Sequence, residues 1–395
     1  MAGVGAVRSL SEQDVPIAHA DWEWNPDVFS VHVRTRQRLE SPMVNEPGFV
    51  FGLSRFGATF RRKPVLFPCS DCAVWYVAKH KATLERHFHI PLSRFGIIEK
   101  ILMKDKLYRF LESRGYPTPR TVYPLHRATV TVESGITYPC IVKPSQSHIF
   151  RKLFGRKVIL VRNDTELRRA LSLFQHYALD PCVQEIIPGD SSSVVSVGGY
   201  FDKHSRPIAM LTTRRIREFP LSFGTGSRIV TECLPEVAEL ATQIVASLSF
   251  HGIADIDFIE DKRDDKLKLI DFNPRCWGEV YISAKAGADI PLSAYLDTLG
   301  TEVKDTSQMD GVRWVDNVAD VLAFFQEYRA GKASLSAFSR QFGPRQVYST
   351  LTVKDPFPAF QEVWLYARLL MNSRARRKRI EADFDNVELP RKCQI

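Results

Sequence analysis

Between Gly252 and Arg275 the chain carries two strand-like stretches, Ile253–Ile259 and Leu267–Asn273, separated by the charged turn Glu260–Lys266. Side chains two apart on a strand share a face, so Asp255 and Asp257 line up on the first strand, and Asp271 and Asn273 on the second. A turn centred near Arg263 and Asp264 gives a register that brings Asp257 close to Asp271. Carboxylates gathered this way repel each other and resist desolvation, so they call for a cation. Hard oxygen ligands suit Mg²⁺, which takes one or two carboxylates and fills its shell with phosphate oxygens. Read alone, Asp255-Ile256-Asp257 is more readily the polar face of an exposed strand than a metal site. The run Asp271-Phe272-Asn273-Pro274-Arg275 shifts that balance, because it sets two oxygen ligands and a guanidinium just past a strand end.

The rest of the middle region alternates strands and helices without the regular βαβ order of a doubly wound sheet. An amphipathic helix from Lys104 to Arg114 runs into Gly115 and is stopped by Pro117 and Pro119. Tyr138–Val142, leading into Lys143-Pro144, and Lys157–Val161 are β-rich. Asn163-Asp164-Thr165-Glu166 reads as a capping box opening a helix to about Leu179. Strands follow at Cys182–Ile187, Val194–Phe201 and Pro207–Thr212, with Asp202–Arg206 as a hairpin turn. A helix then begins at Pro235 and ends before Gly252.

Residues 1 to about 100 mix strand-like pieces (Val15–Ala18, Pro64–Pro68) with helix-like ones (Asp71–His80), an α/β pattern. Gly3-Val4-Gly5-Ala6-Val7-Arg8 lacks the third glycine and the preceding strand of a dinucleotide fingerprint, so it reads as a helix start docked on a sheet. Such a helix normally follows a first strand, which implies residues ahead of residue 1. Residues 301–395 read as a mostly helical extension: Asp316 caps a helix with Val318, Val321, Leu322 and Phe325 on its apolar face. A second apolar stretch, Val363–Met371, runs into the basic segment Arg374–Arg379.

Composition narrows the function classes. With 44% hydrophobic and 25% charged residues over 395 positions, disordered, collagen-like and disulfide-scaffold chains are excluded. Seven cysteines include only one close pair, Cys69 and Cys72, with no second pair to complete a zinc site. No apolar run approaches the roughly 18 residues of a membrane span, and residues 1–30 lack a signal-peptide core, so a reducing, cytoplasmic setting is expected. The formal charge of +9 admits nucleic acid, an anionic membrane or an anionic ligand. Five of those charges lie at Arg374, Arg376, Arg377, Lys378 and Arg379, leaving +4 (9 − 5) for the rest.

Four segments together resemble the ATP-grasp superfamily. Gly252-Ile253-Ala254-Asp255-Ile256-Asp257-Phe258 with Leu269–Arg275 is similar to its metal-binding core, with Asp in place of the usual Glu. Asp105-Lys106 before Gly115–Thr121, the strand lysine in Ile141-Val142-Lys143-Pro144, and the linker Val183–Gly189 fall in the order that family requires. Looser likeness over Gly3–Leu10, Pro64–Asp71, Phe223–Ser227 and Gly311–Trp314 extends to carboxylate-amine ligases of the D-aspartate ligase type and to the carbamoyl phosphate synthase large chain.

The resemblance implies an α+β ATP-grasp fold, two subdomains clasping ATP over residues 104–300 with a lid at about 120–185. A Rossmann-like α/β domain at 1–103 would precede it and a helical extension at 301–395 follow it. It implies that Lys106 and Lys143 hold nucleotide phosphates; of Arg214, Arg215 and Arg217, one, Arg215 foremost, would also face them, unless this is a solvated charged strand. Gln184, Glu185, Ile186 and Ile187 would meet adenine and Asp190 the ribose. Asp257, Asp271 and Asn273 would bind Mg²⁺, with Mn²⁺ as a substitute, and Arg275 would stabilise the transition state. The loop Ser145–Lys152 departs from the family in lacking glycines. The implied reaction joins a small-molecule carboxylate to an amine through an acyl phosphate, with no nucleic acid and compatibly with a homodimer. A kinase on the same fold, or a binding protein using the basic segment on nucleic acid or membrane, are the other classes; the basic segment also reads as a solvated helix end.

Overall fold

The computed structural model describes residues 2–124, 135–146, 150, 153–154, 157–304, 306–339, 341, 343, 345–368 and 371. The basic segment 374–379 and His148, together with most of the loop after Ser145, lie outside these residues.

Three sheets organise the described chain. A parallel pair, β1 (Ile17–Asp21) and β2 (Val33–Arg38), sits in the N-terminal region. A four-stranded sheet in the order β3-β6-β4-β5 is built from β3 (Thr121–Val122), β4 (Cys140–Pro144), β5 (Ile159–Val161) and β6 (Pro181–Glu185). A seven-stranded sheet has the order β11-β10-β7-β8-β9-β12-β13. Its strands are β7 (Val194–Phe201), β8 (Pro207–Phe219), β9 (Thr225–Thr231), β10 (Gly252–Asp261), β11 (Lys266–Asn273), β12 (Arg313–Val315) and β13 (Gln346–Tyr348).

Local chemistry accounts for most elements. Helix Asp164–His176 starts where the Asn163 side chain accepts the Glu166 N–H while the Glu166 carboxylate accepts the Arg162 N–H, close to the reciprocal bonding of a capping box. The turn 202–206 is held by the Asp202 carboxylate, which accepts the N–H groups of His204 and Arg206 and pairs with the Arg206 guanidinium. Helix Pro235–Leu248 has proline in its first turn and ends at Ser249, whose φ of 54° lies in the left-handed region.

Packing joins the N-terminal region to the large sheet. One core runs from Phe49, Val74, Ile98 and Tyr108 through Val195 and Ile244 to Phe258 and Phe272, so the helices before residue 114 cover β7, β10 and β11. The four-stranded sheet keeps its own core, with Val142, Phe150, Phe174 and Val183 around helix Asp164–His176. The cleft between these two separately packed bodies is thus the junction of the sheet that carries Lys143 with the one that carries Asp271, closed here by contacts through Tyr108.

Several expectations need correction. Pro64–Pro68 forms no strand; Val65 makes one isolated parallel bridge to His89. The stretch after residue 301 is not only helical, since β12 pairs with β9 and β13 with β12, extending the central sheet. Helix Ala319–Arg329 buries Ala319, Asp320, Ala323 and Phe324, whereas Val321 and Phe325 are exposed. Its inward face is set by Asp320, whose carboxylate takes hydrogen bonds from Arg217 on β8 and Arg228 on β9. An ion pair in the core outweighs the apolar periodicity there, because leaving two guanidiniums buried without a carboxylate costs more than exposing two apolar side chains.

Candidate functional site

The site forms where helix Lys104–Ser113 passes between the two larger sheets. Helical spacing puts Lys104, Leu107, Tyr108 and Leu111 on its buried side. Lys104 Nζ donates to Asp271 Oδ1 at the end of β11. Tyr108 Oη donates to the Ile270 carbonyl at 2.6 Å and accepts from Lys143 Nζ on β4 at 2.7 Å, with that ammonium 4.4 Å from the Tyr108 ring centre. Tyr108 thus ties the strand lysine of one sheet to the acidic strand of the other.

Electrostatics here are sharply divided. Burial pushes the Lys143 ammonium down to about 7, reinforced by the positive charge of Lys104 and opposed by Asp271. Burial acts to raise Asp271, yet Lys104, with Lys157 and Lys143 behind it, holds the carboxyl well below the ordinary carboxylate range. Lys106, on the opposite side of the helix, is 44% exposed and pairs with Glu99 at 2.9 Å; the fold does not bring it to the cleft. The first-turn lysine, two positions earlier, stands there instead. Its place on the Leu107, Tyr108 and Leu111 face was the signal in the sequence that could have found it.

On the hairpin, Asp257 is the direct cross-strand partner of Asp271 and Asp255 of Asn273, the register expected from the sequence. A bulge between Asp257 and Phe258 carries the pairing on to Leu269. Asp257 accepts Ser196 Oγ at 2.5 Å and lies 3.6 Å from the Arg215 guanidinium, which also holds Glu218 at 3.2 Å. Of the neighbouring arginines, Arg214 is committed to Glu232 and Glu260, and Arg217 to Asp320 and Glu327. Asn273 Nδ2 donates to Asp255 at 3.3 Å, and Arg275 bonds Asn273 Oδ1 at 3.3 Å, the Cys276 carbonyl at 3.1 Å and Asp71 Oδ1 at 2.5 Å. Asp71, in the first turn of helix Asp71–Lys79, therefore fixes Arg275 from the N-terminal region.

Burial raises the Asp255 carboxyl, with Asp257 and Glu279 adding to the effect, and pushes Glu279 up to about 7. The donor set of Asp257, Asp271 and Asn273 is all hard oxygen and fits Mg²⁺. Among the described residues, no group of three or more His, Cys, Asp or Glu side chains could hold a metal ion. Two carboxylates and an amide leave room for ligands supplied from elsewhere, which is how Mg²⁺ is held beside phosphates. Sequence reasoning assigned no role to Lys104, Tyr108, Asp71 or Glu279; only Asp71 appeared in a quoted motif.

The linker begins on β6, an inner strand of the four-stranded sheet between β3 and β4, and runs off its end. Gln184 is buried and bonds Thr121 Oγ1 at 2.7 Å. The Glu185 carboxylate accepts the Arg120 N–H at 2.8 Å and pairs with Arg263 at 2.9 Å, so its side chain is engaged within the protein. Ile187 is buried, Ile186 is half-buried, and exposed Asp190 accepts the Ser192 N–H at 2.9 Å.

A family model described as ATP-grasp domain matches residues 102–279. The chain is similar to the D-aspartate ligase of Enterococcus faecium, 24% identical over 227 residues that make up 54% of this chain and 53% of that protein. It is also similar to the C-terminal section of the carbamoyl phosphate synthase large chain of Methanopyrus kandleri, 23% identical over 254 residues, 59% of this chain and 45% of that protein. The chain spans about half the length of these curated relatives. The crystal structure of N5-carboxyaminoimidazole synthetase from Staphylococcus aureus superposes with a TM-score of 0.60 at 13% identity, over 84% of this chain and 83% of that one, a likeness of fold. These matches coincide with the stretch that holds the strand lysine and the acidic hairpin, and residues 102–279 of this chain are an ATP-grasp domain.

Proposed function

We propose that the protein is an ATP-dependent ligase that joins a carboxylate to an amine through an acyl phosphate. The observation that carries this reading is the cross-strand pair Asp257 and Asp271, linked through Ile270 and Tyr108 to the buried ammonium of Lys143. Acids for a metal and cations for a polyphosphate lie on opposite sides of one cleft.

In this reading Lys104 and Lys143 hold nucleotide phosphates as fixed positive charge that needs no reorganisation during reaction. Asp257, Asp271 and Asn273 hold Mg²⁺, which when bound neutralises phosphate charge. Arg275, fixed by Asp71, faces the charge that develops as the substrate carboxylate attacks the γ-phosphorus and ADP leaves. The amine then adds to the acyl carbon, phosphate departs, and the amine's proton passes to a base; buried Glu279, beside Asp257, is the carboxylate placed for it. The body around the four-stranded sheet, residues 121–185, serves as the lid that keeps water from the acyl phosphate. Adenine lies along the linker 184–187, met by backbone groups and by Gln184, since Glu185 is engaged by Arg120 and Arg263; Asp190 is the nearby acid for the ribose.

The test is phosphate release from Mg²⁺ and ATP by the purified protein against panels of amino acids, singly and in pairs. Release that requires both a carboxylate and an amine supports the ligase. A stable phosphorylated product formed without amine would instead establish a kinase.

A further inference from the structure

The helical residues 357–368 are built inside out. Their inward side carries Pro358, Glu362 and Tyr366: Glu362 is 1% exposed and accepts hydrogen bonds from Thr350, Ser349 and Asn317, while Tyr366 Oη donates to Asp316 at 3.0 Å. The outward side carries Phe357, Phe360, Val363 and Trp364, all more than half exposed, and continues to Met371 at 71%. At 100° per residue these side chains share one arc, and exposed Val353 and Leu351 adjoin them in the preceding loop. An amphipathic helix that existed to complete the core would turn its aromatic side inward. This one is anchored by a buried acid and hydroxyl groups, and presents its apolar side to the surroundings.

We propose that this face is an interfacial docking surface for an anionic lipid bilayer. The charge of the chain selects that partner. Between residues 357 and 379 the sequence has six basic residues, Arg368, Arg374, Arg376, Arg377, Lys378 and Arg379, against one acid, Glu362, which is turned inward; the acids Glu381, Asp383, Asp385 and Glu388 follow, and the balance over 357–395 stays positive at +3 (8 − 5). Arg368 lies over the Trp364 ring at 5.4 Å, a cation at the margin of the apolar arc. Phenylalanine and tryptophan with adjoining cations match the acyl boundary and headgroup layer of a negatively charged leaflet. Two copies that each carry this positive balance repel, which opposes a second copy as the occupant. The arginines from 374 onward lie outside the described residues; their contribution here is their charge in sequence.

The experiment is co-sedimentation of the full chain with vesicles of phosphatidylcholine alone and of phosphatidylcholine mixed with phosphatidylglycerol, paired with light scattering in solution. The expected result is binding to the mixed vesicles at least about tenfold tighter than to neutral ones, weakened by added salt. The double variant F360S/W364S, altered only at exposed positions, should lose that binding while keeping its thermal transition. Absence of binding to either vesicle would overturn the proposal. So would unchanged binding by the double variant, or a wild-type dimer that F360S/W364S dissociates without any vesicle binding. Each readout is independent of ligase activity, so failure here and failure of the catalytic assignment are separate results.

Discussion

Lys104 and Asp271, 167 positions apart, meet in an ion pair at the mouth of the cleft, one at the start of a helix and the other near the end of β11. The pair keeps Asp271 ionised despite its burial, and it places a cation against a carboxylate assigned to a metal. In the proposed reading, a metal held by Asp271 would compete with Lys104 for the same oxygen, and the ammonium would then be free to meet a phosphate.

The two lysines of the first helical turn should therefore separate cleanly. Lys104→Met is expected to lower ATP-dependent turnover by about 100-fold or more, the size of loss seen when one preorganised charge-stabilising donor is removed. Lys106→Ala removes only an exposed pair with Glu99 and should leave turnover within about twofold. Steady-state kinetics of both variants decide it; equal losses would return Lys106 to the site.

Lys143 predicts a pH dependence. Its pKa, depressed from 10.5 to about 7, means that the ligand-free protein loses this charge as pH rises above 7. A polyphosphate binds the charged form, so ATP affinity should fall above pH 7 by up to about tenfold per pH unit. Lys143→Arg, which stays charged, should flatten the profile in calorimetric titrations. Folding stability runs the other way: between 7 and 10.5 the unfolded chain binds the extra proton, so Lys143 makes stability rise with pH across that window.

Metal binding should respond in a graded way. Asp257→Asn removes a ligand charge and is expected to raise the Mg²⁺ concentration for half-maximal activity by more than about 100-fold. Ser196→Ala removes only the hydroxyl that donates to Asp257 and should raise it by about tenfold. Magnesium titrations at saturating ATP measure both, and an unchanged Asp257→Asn curve would remove Asp257 from the metal site.

Away from the cleft, Asp320→Ala should destabilise the protein by about 3–5 kcal/mol, because it leaves the nearly fully buried guanidiniums of Arg217 and Arg228 without their shared carboxylate. Denaturant unfolding gives the difference. A loss below about 1 kcal/mol would show that the network contributes little.

Much of this was legible in the sequence where the controlling forces are local. Alternation along a strand and the length of the 260–266 turn are enough to align Asp257 with Asp271, and a capping box is enough to start the helix at Asp164. Strand β9 and the two strands after residue 312 were missed, because short strands depend on neighbours far away in the chain.

The acidic hairpin and its oxygen donors follow from side-chain alternation and a short turn, whereas the strand lysine is marked only by the resemblance to the ATP-grasp family. Which lysine of the Lys104–Lys106 turn faces the cleft, which face of helix Ala319–Arg329 is buried, and that residues 357–368 turn their aromatic side outward were decided only by tertiary packing. In each case a buried charge had to find a partner from a distant segment: Lys104 with Asp271, Asp320 with Arg217 and Arg228, Glu362 with Asn317. The cost of leaving such a group unpaired exceeds the pull of local periodicity.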